Sequence, residues 1–318
     1  MKKTINILSS VFVFQLILVG ALSANWGDPE IDTNQPMLGE DLVENLTQLE
    51  ITEEEKGISL AKSGDGWTLP EHNDLPVASS KIDSVLEDLG ELKKTWPIAQ
   101  TKSAAERFEV AEDKFKKRIQ LNTKDDSQNL YVGTSPSFRK SHLRLGEEEE
   151  IYSGELGTHD LSIEVNDWLD KSLLKLEKDK FQSVTLNELN LSKVGDLWTL
   201  SDLDESEELV QDQLNNIVNF ASNLSVNGVL DKEKVKEWQD KAPSFSVTVD
   251  DGSKNIYDVY IEDSESVIKS SLRDEWFSVS KFQVEALADL SRDILVKAKV
   301  IEPAETTTDN AEEEIKEG

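Results

Sequence analysis

The residues of this 318-residue chain that could carry chemistry are three histidines, 64 acidic side chains and a few Ser–Lys pairings. His72, His142 and His159 fall in no H-x-H, H-x-x-x-H or H-E-x-x-H spacing, so zinc chemistry has no frame to work in. Each stands in a polar, turn-like stretch, where a solvated imidazole is the plain expectation. Ser137-Phe-Arg-Lys140 fits S-x-x-K, Ser225-Val-Asn227 fits S-x-N, and Lys62-Ser-Gly64 approaches K-T-G, together the signature of a penicillin-recognising serine enzyme. Their order is wrong for that enzyme. The K-T-G-like element comes first, and its near-copy Lys193-Val-Gly195 marks it as a feature of the fold. No G-x-S-x-G, Walker A or G-x-G-x-x-G occurs. Asp202-Leu-Asp204 and Asp250-Asp-Gly252 could suggest calcium, but neither has the length or terminal Glu of an EF-hand loop. A helix N-terminus and a hairpin turn are their expected roles. With so many acids, a catalytic carboxylate pair cannot be singled out by spacing. No catalytic residue, metal site or cofactor is expected.

Trp67 and Trp198 could stack a ligand, yet their setting points to packing. Residues 58–69 read ISLAKSGDGWTL and residues 189–200 read LNLSKVGDLWTL, seven of twelve positions being identical at an offset of 198 − 67 = 131. Gly64, Asp65 and Trp67 recur as Gly195, Asp196 and Trp198. So dense a match at one offset is a duplication, and a period this long means repeated domains, not a solenoid.

The segments downstream of the two copies agree as well. Ile82, Val85, Leu86, Leu89 and Leu92 lie at helical spacing, and Leu214, Ile217, Val218, Ala221 and Leu224 repeat it 132 residues on. The spacing of Ser80 and Asp83 predicts a capping box, and Ser206 with Glu207 and Glu208 the start of the second helix. Short strands are expected at 118–121 with 130–132, and at 245–249 with 256–261. Leu161-Ser-Ile163 against Phe277-Ser-Val279 closes each copy ahead of short helices near 166–173 and 281–287. The fold class is therefore α+β, two tandem copies of one unit with antiparallel sheets covered by helices. The first unit is expected over 46–176 and the second over 181–296, with the boundary near 177–181.

Lys+Arg total 34 against the 64 acids, a formal net charge of −30. Such a surface repels nucleic-acid phosphates and anionic lipid headgroups, and serves solubility first. The chain has no Cys, which excludes disulfides, thiolate sites and a lipid anchor on Cys. Lys2 and Lys3 precede an apolar stretch over residues 5–24, densest at 11–22, which predicts a signal peptide or uncleaved signal anchor over 1–24. A polar tether, 25–45, and an acidic tail expected to be disordered, 302–318, flank the units. Arg139 and Arg144 stand out as bases in an acidic chain. They could meet a partner's carboxylate, although solvent exposure or an internal ion pair is the plainer role.

The chain resembles a bacterial domain-of-unknown-function family, number 4340, from about Pro36 to Val296. The likeness is carried by Pro36-Met-Leu-Gly39 with Leu46-Thr-Gln-Leu-Glu-Ile51, by Gly66-Trp-Thr-Leu69 with the 79–92 helix, and by Thr101-Lys-Ser103 through Arg107-Phe108. It continues in Leu130-Tyr-Val-Gly133, His142-Leu-Arg144, Asp167-Trp-Leu-Asp-Lys-Ser-Leu173 and Phe181-Gln-Ser-Val-Thr-Leu186. Similar proteins usually place Gly after the residue matching Phe108, where this chain has Glu109. The resemblance implies an envelope protein on the periplasmic side of the inner membrane, acting as a non-catalytic accessory subunit of a gliding-motility-type ABC transporter. Its implied partner is the inner-membrane permease or an auxiliary subunit. A periplasmic binding protein for a glycan or small solute, or an envelope hydrolase of unrecognised type, would be the alternatives.

Overall fold

A computed structural model describes residues 11–17, 19–20, 35–146 and 148–299. The leader (apart from its helical residues 11–17 and 19–20), the tether before residue 35 and the tail at 302–318 lie outside the described residues. No helix among the described residues is long and apolar enough to cross a membrane. The chain divides into two compact units between Asp170 and Lys171. Residues 171–176, expected at the end of the first unit, instead bond within the second. Leu176 N–H donates to Ala221 O and Leu174 O accepts from the buried Tyr257 hydroxyl.

The first unit carries β1 (Gln48–Glu53), β2 (Lys56–Ser63), β3 (Gly66–Leu69), β4 (Leu75–Pro76), β5 (Val110–Ala111) and β6 (Lys114–Phe115). It continues with β7 (Lys117–Asn122), β8 (Ser127–Val132), β9 (Ser141–Leu145) and β10 (Tyr152–Gly154). Eight of these form an antiparallel sheet ordered β10-β9-β8-β7-β1-β2-β3-β4, while β5 and β6 make a separate hairpin. Leu49 and Ile51 of β1 alternate with more exposed neighbours and pair with Leu121 and Ile119 of β7, so one sheet face is continuously apolar. The helix Ser79–Gly90 buries Ile82, Val85 and Leu89, and lies against β3. Each such burial contributes about 1.5–3 kcal/mol.

The second unit carries β11 (Ser183–Leu186), β12 (Leu189–Val194), β13 (Leu197–Leu200), β14 (Glu207–Leu209) and β15 (Val226–Val229). After these come β16 (Phe245–Asp250), β17 (Lys254–Ile261), β18 (Ser266–Ser270), β19 (Trp276–Val279) and β20 (Val296–Ala298). Its sheet runs β13-β12-β11-β16-β17-β18-β19-β15, with β14 and β20 paired apart. Seven strands thus keep one order in both units: β10-β9-β8-β7-β1-β2-β3 matches β19-β18-β17-β16-β11-β12-β13. The duplication read from residues 58–69 and 189–200 extends to the whole sheet.

Gly64 and Gly195 take left-handed φ of 58° and 63° in two-residue turns, which close Ser63 on Gly66 and Val194 on Leu197. That conformation suits Gly and the hairpin twist, so the repeated Gly-Asp is a turn signal. Trp67 pairs with Lys62 and Trp198 with Lys193 in the same register. Their burial differs: Trp67 is 8% exposed, whereas Trp198 is half-buried. Trp67→Ala is expected to destabilise by about 3 kcal/mol and Trp198→Ala by about half that. Denaturant titration of the two variants checks this, and equal losses would contradict the difference in packing.

Three local expectations need correction. The helix Ser79–Gly90 has Ala78 as its N-cap and no side-chain cap. Backbone bonds set its start instead, Val77 N–H to Trp67 O and Ala78 N–H to Trp168 O. Glu207 and Glu208 open no helix; they lie in β14, and Glu207 is held by Arg292 at 2.6 Å. Leu161-Ser-Ile163 is not a strand, because Ser162 turns to accept Trp168 Nε1–H and to bond Asp167. The place of β19 belongs to β10, Tyr152 facing Leu143 as Phe277 faces Ile268.

Candidate functional site

The β8–β9 hairpin gathers the basic residues Arg139 and Arg144. Arg144 on β9 is only 8% exposed and lies 4.5 Å over the Tyr131 ring. Its Nε donates to Val110 O at 2.6 Å and its Nη1 to Gly146 O and Glu148 O. Arg144 therefore cannot offer its guanidinium to a partner, and the contact expected of it is withdrawn. The second unit places Lys269 at the matching register: Arg144 faces Tyr131 as Lys269 faces Asp258. Lys269 Nζ likewise donates to carbonyls of the following loop, Ser270 O and Arg273 O. Both copies use a base to tie down the loop after this strand.

His142 is not solvated either. It packs against Phe108 at 4.2 Å between ring centroids, and its Nδ1 lies 2.8 Å from Thr134 Oγ1. Burial, with a smaller contribution from Arg107, pulls its pKa below the usual imidazole value of 6.5. The unfolded chain then binds the proton first. The stability tied to neutral His142 is complete above pH 6.5 and is lost as pH falls through the lowered folded value. His142→Val, the residue at the matching position 267, is expected to flatten this acid dependence below pH 6.5. A titration of stability in which wild type and variant decline in parallel would refute it.

These side chains are buried because the face of β8 and β9 opposite the main core is also covered. The helix Lys102–Phe108 and the β5–β6 hairpin lie over it, with Ala104, Ala105, Val110, Ala111, Tyr131 and Ile151 forming a second core. Thr134 N–H donates to Phe108 O. At Gly133 an added Cβ would stand 2.0 Å from Phe108 O, so only Gly admits this approach. Glu109 closes the helix with φ 57°, the left-handed cap that Gly fills most readily, so the turn before Val110 forms without it.

Beyond His142 the hairpin turns outward. Ser137 and Lys140 bridge across its tip, and Ser135 Oγ donates to Ser137 O and Lys140 O. The S-x-x-K match is thus a turn. It raises Phe138, 91% exposed, and Arg139, exposed with φ 55°. The matching turn in the second unit is Glu262-Asp-Ser-Glu265, where Glu262 N–H donates to Glu265 O. Between Val132 and Leu143 the first hairpin has ten residues, against eight between Val259 and Ile268. The two copies therefore share a frame and differ at this tip, aromatic and basic in one, acidic in the other.

The tip forms one wall of an open cleft of about 820 Å³. Asp88, Glu91, Leu92, Lys93 and Thr95 line a second wall, and Ser153, Gly154 and Glu155 a third. Burial and the neighbouring Asp160 hold the Asp88 carboxyl above its usual range, and Arg139 works against them. Lys140 reaches Glu155 at 3.4 Å. A second hollow, about 430 Å³, contains His159 and Ser162, but Ser162 Oγ is taken by Asp167 and the buried Lys117 by Glu53 at 2.7 Å. Asp202 is held by Arg292, Asp204 accepts from Ser206, and Asp250 and Asp251 cap their own hairpin turn. Among the described residues no three of His, Asp and Glu gather as a metal site. The cleft sets an exposed ring and an exposed cation beside a sheet edge.

A family described as domain of unknown function DUF4340 matches residues 67–244, which span the end of the first unit's β2–β3 hairpin to the start of the second unit's central strands. No curated protein and no solved structure was found to match.

Proposed function

This chain belongs to the DUF4340 family, and we propose that it is a non-catalytic extracytoplasmic accessory subunit of an ABC-type transport system in the bacterial envelope. In this reading the N-terminal segment carries the chain across the inner membrane and either anchors it or is cleaved. The folded units then work by contact with the permease or an auxiliary subunit. The observation that carries it is the divergence between the two copies. Both keep the seven-strand frame and the loop-tying base, yet only the first raises an aromatic and two cations at the β8–β9 tip, where the second has three acids. A residue 91% exposed and apolar has no folding role to explain it. In a chain of net charge −30, a local basic-aromatic tip is suited to a protein surface that the rest of the molecule would not hold.

Affinity capture of the full chain from detergent-solubilised membranes tests this. The wild type is expected to bring down an integral permease or its auxiliary subunit, and Phe138→Ala with Arg139→Glu to lose most of that capture at unchanged melting temperature. Turnover of an envelope substrate by the purified chain, or a small ligand co-purifying with no membrane protein, would overturn the reading in favour of a hydrolase or a binding protein.

A further inference from the structure

The first unit leaves a sheet edge open where the second unit closes it. Counting forward from Leu92 and Leu224, at an offset of 132, sets Lys94 beside Val226 and Ile98 beside Leu230. The bonds agree: Lys94 N–H donates to Gln35 O as Val226 N–H does to Lys171 O, and Ile98 N–H donates to Ile151 O as Leu230 N–H does to Trp276 O. Between these two fixed points the copies part. In the second unit β15 lies on β19, Val226 facing Val279 and Gly228 facing Ser278. In the first unit residues 94–97 form no strand, and among the described residues the backbone bonds from this stretch to the edge are those of Ile98 and Ala99 with Ile151. Pro97 stands where the second unit has Val229 and brings no N–H. Trp96, turned to solvent, stands in place of Gly228, at which β15 shifts register.

The outer edge of β10 is left without that strand. His142, opposite Ser153, donates its N–H to Thr134 O and accepts from Gly133 N–H, both on the far side. Ser153 therefore sits in a non-hydrogen-bonded pair and turns its own N–H and C=O outward. No backbone partner meets them among the described residues. Ser153 and Gly154 line the 820 Å³ cleft, so the open edge and the cleft are one feature. An unpaired edge is a template for another strand.

We propose that this edge receives an extended segment of the membrane partner, which completes the first sheet as β15 completes the second. The proposal rests on the contact reading of the proposed function and gives it a binding mode, strand addition. The lining of the cleft states the chemistry of the occupant. Lys93, Arg139 and Lys140 balance Asp88, Glu91 and Glu155, so the segment should carry no net charge.

The test places a photo-crosslinking amino acid at position 153 of the full-length chain in native membranes, beside the same probe at 138. The probe at 153 is expected to reach an extended, uncharged segment of the membrane protein that the probe at 138 also captures. Trp96→Gly with Pro97→Val, which restores the second unit's residues and lets the chain close its own edge, should cut the capture from 138 at least tenfold. Should that variant fold poorly, Ser153→Pro, which removes the outward N–H at this edge position, should cut it alike. Capture from 138 that survives both variants, or a product at 153 with a helix, a small molecule or a second copy of this chain, overturns strand addition and leaves the contact reading standing. No membrane protein from either position overturns both.

Discussion

Trp168→Ala is expected to lower the stability of the first unit by about 4–5 kcal/mol, near the top of the range for emptying a large buried site. Trp168 is fully buried, and its Nε1–H donates to Ser162 O at 2.9 Å. Its own carbonyl accepts from Ala78 N–H at 2.7 Å, the bond that stands at the start of the Ser79–Gly90 helix. Lys81 on that helix lies 5.6 Å over the ring. Truncation would thus open a cavity beneath the helix and loosen the turn at Ser162 together. For a unit of this size the melting temperature should fall by about 10 °C or more, read by circular dichroism so that the lost indole does not disturb the signal. Trp168→Phe, which keeps most of the ring and loses the N–H donor, should fall between. A drop of only a few degrees for Trp168→Ala would show that the indole does not hold the helix and the Ser162 turn in place.

The second large effect separates structure from contact within one hairpin. Arg144→Met keeps the chain length over Tyr131 but leaves the carbonyls of Val110, Gly146 and Glu148 without their donor. An unmet buried acceptor costs about 1–3 kcal/mol, and water can reach part of this site, so a loss of about 4 kcal/mol is expected. Arg139→Glu, five residues earlier on an exposed tip, should change stability by less than about 0.5 kcal/mol. Urea unfolding of both variants decides it. A stable Arg144→Met protein that still binds its partner would undo the structural role, and a destabilised Arg139→Glu protein would undo the exposed one.

The sheet was largely legible because its signals are local. Gly64-Asp65 and Gly195-Asp196 announce their turns, and Ile82, Val85 and Leu89 announce a helix by spacing alone. His142 and Arg144 were misread for a definite reason. Ser-His-Leu-Arg-Leu alternates as a strand with one wet face should, and that face is covered by residues 102–115, far off in sequence. Alternation tells which residues share a face, not whether a second layer lies over it. The one local hint was the small pair Ala104-Ala105 beside an aromatic, Phe108, which reads as a helix meant to lie close on something. The cleft was beyond the sequence altogether. It comes from residues 94–97 failing to pair, which only comparison of the two sheets reveals.

The most direct measurement puts the photo-crosslinking probe at two matched positions of the full chain, Phe138 in the first unit and Asp263 in the second, in membranes of cells that make it. If the first unit's tip is the contact surface, position 138 yields a product with an integral transporter component and position 263, on the same turn of the same frame, yields none. Equal products from both positions, or none from 138, would contradict it.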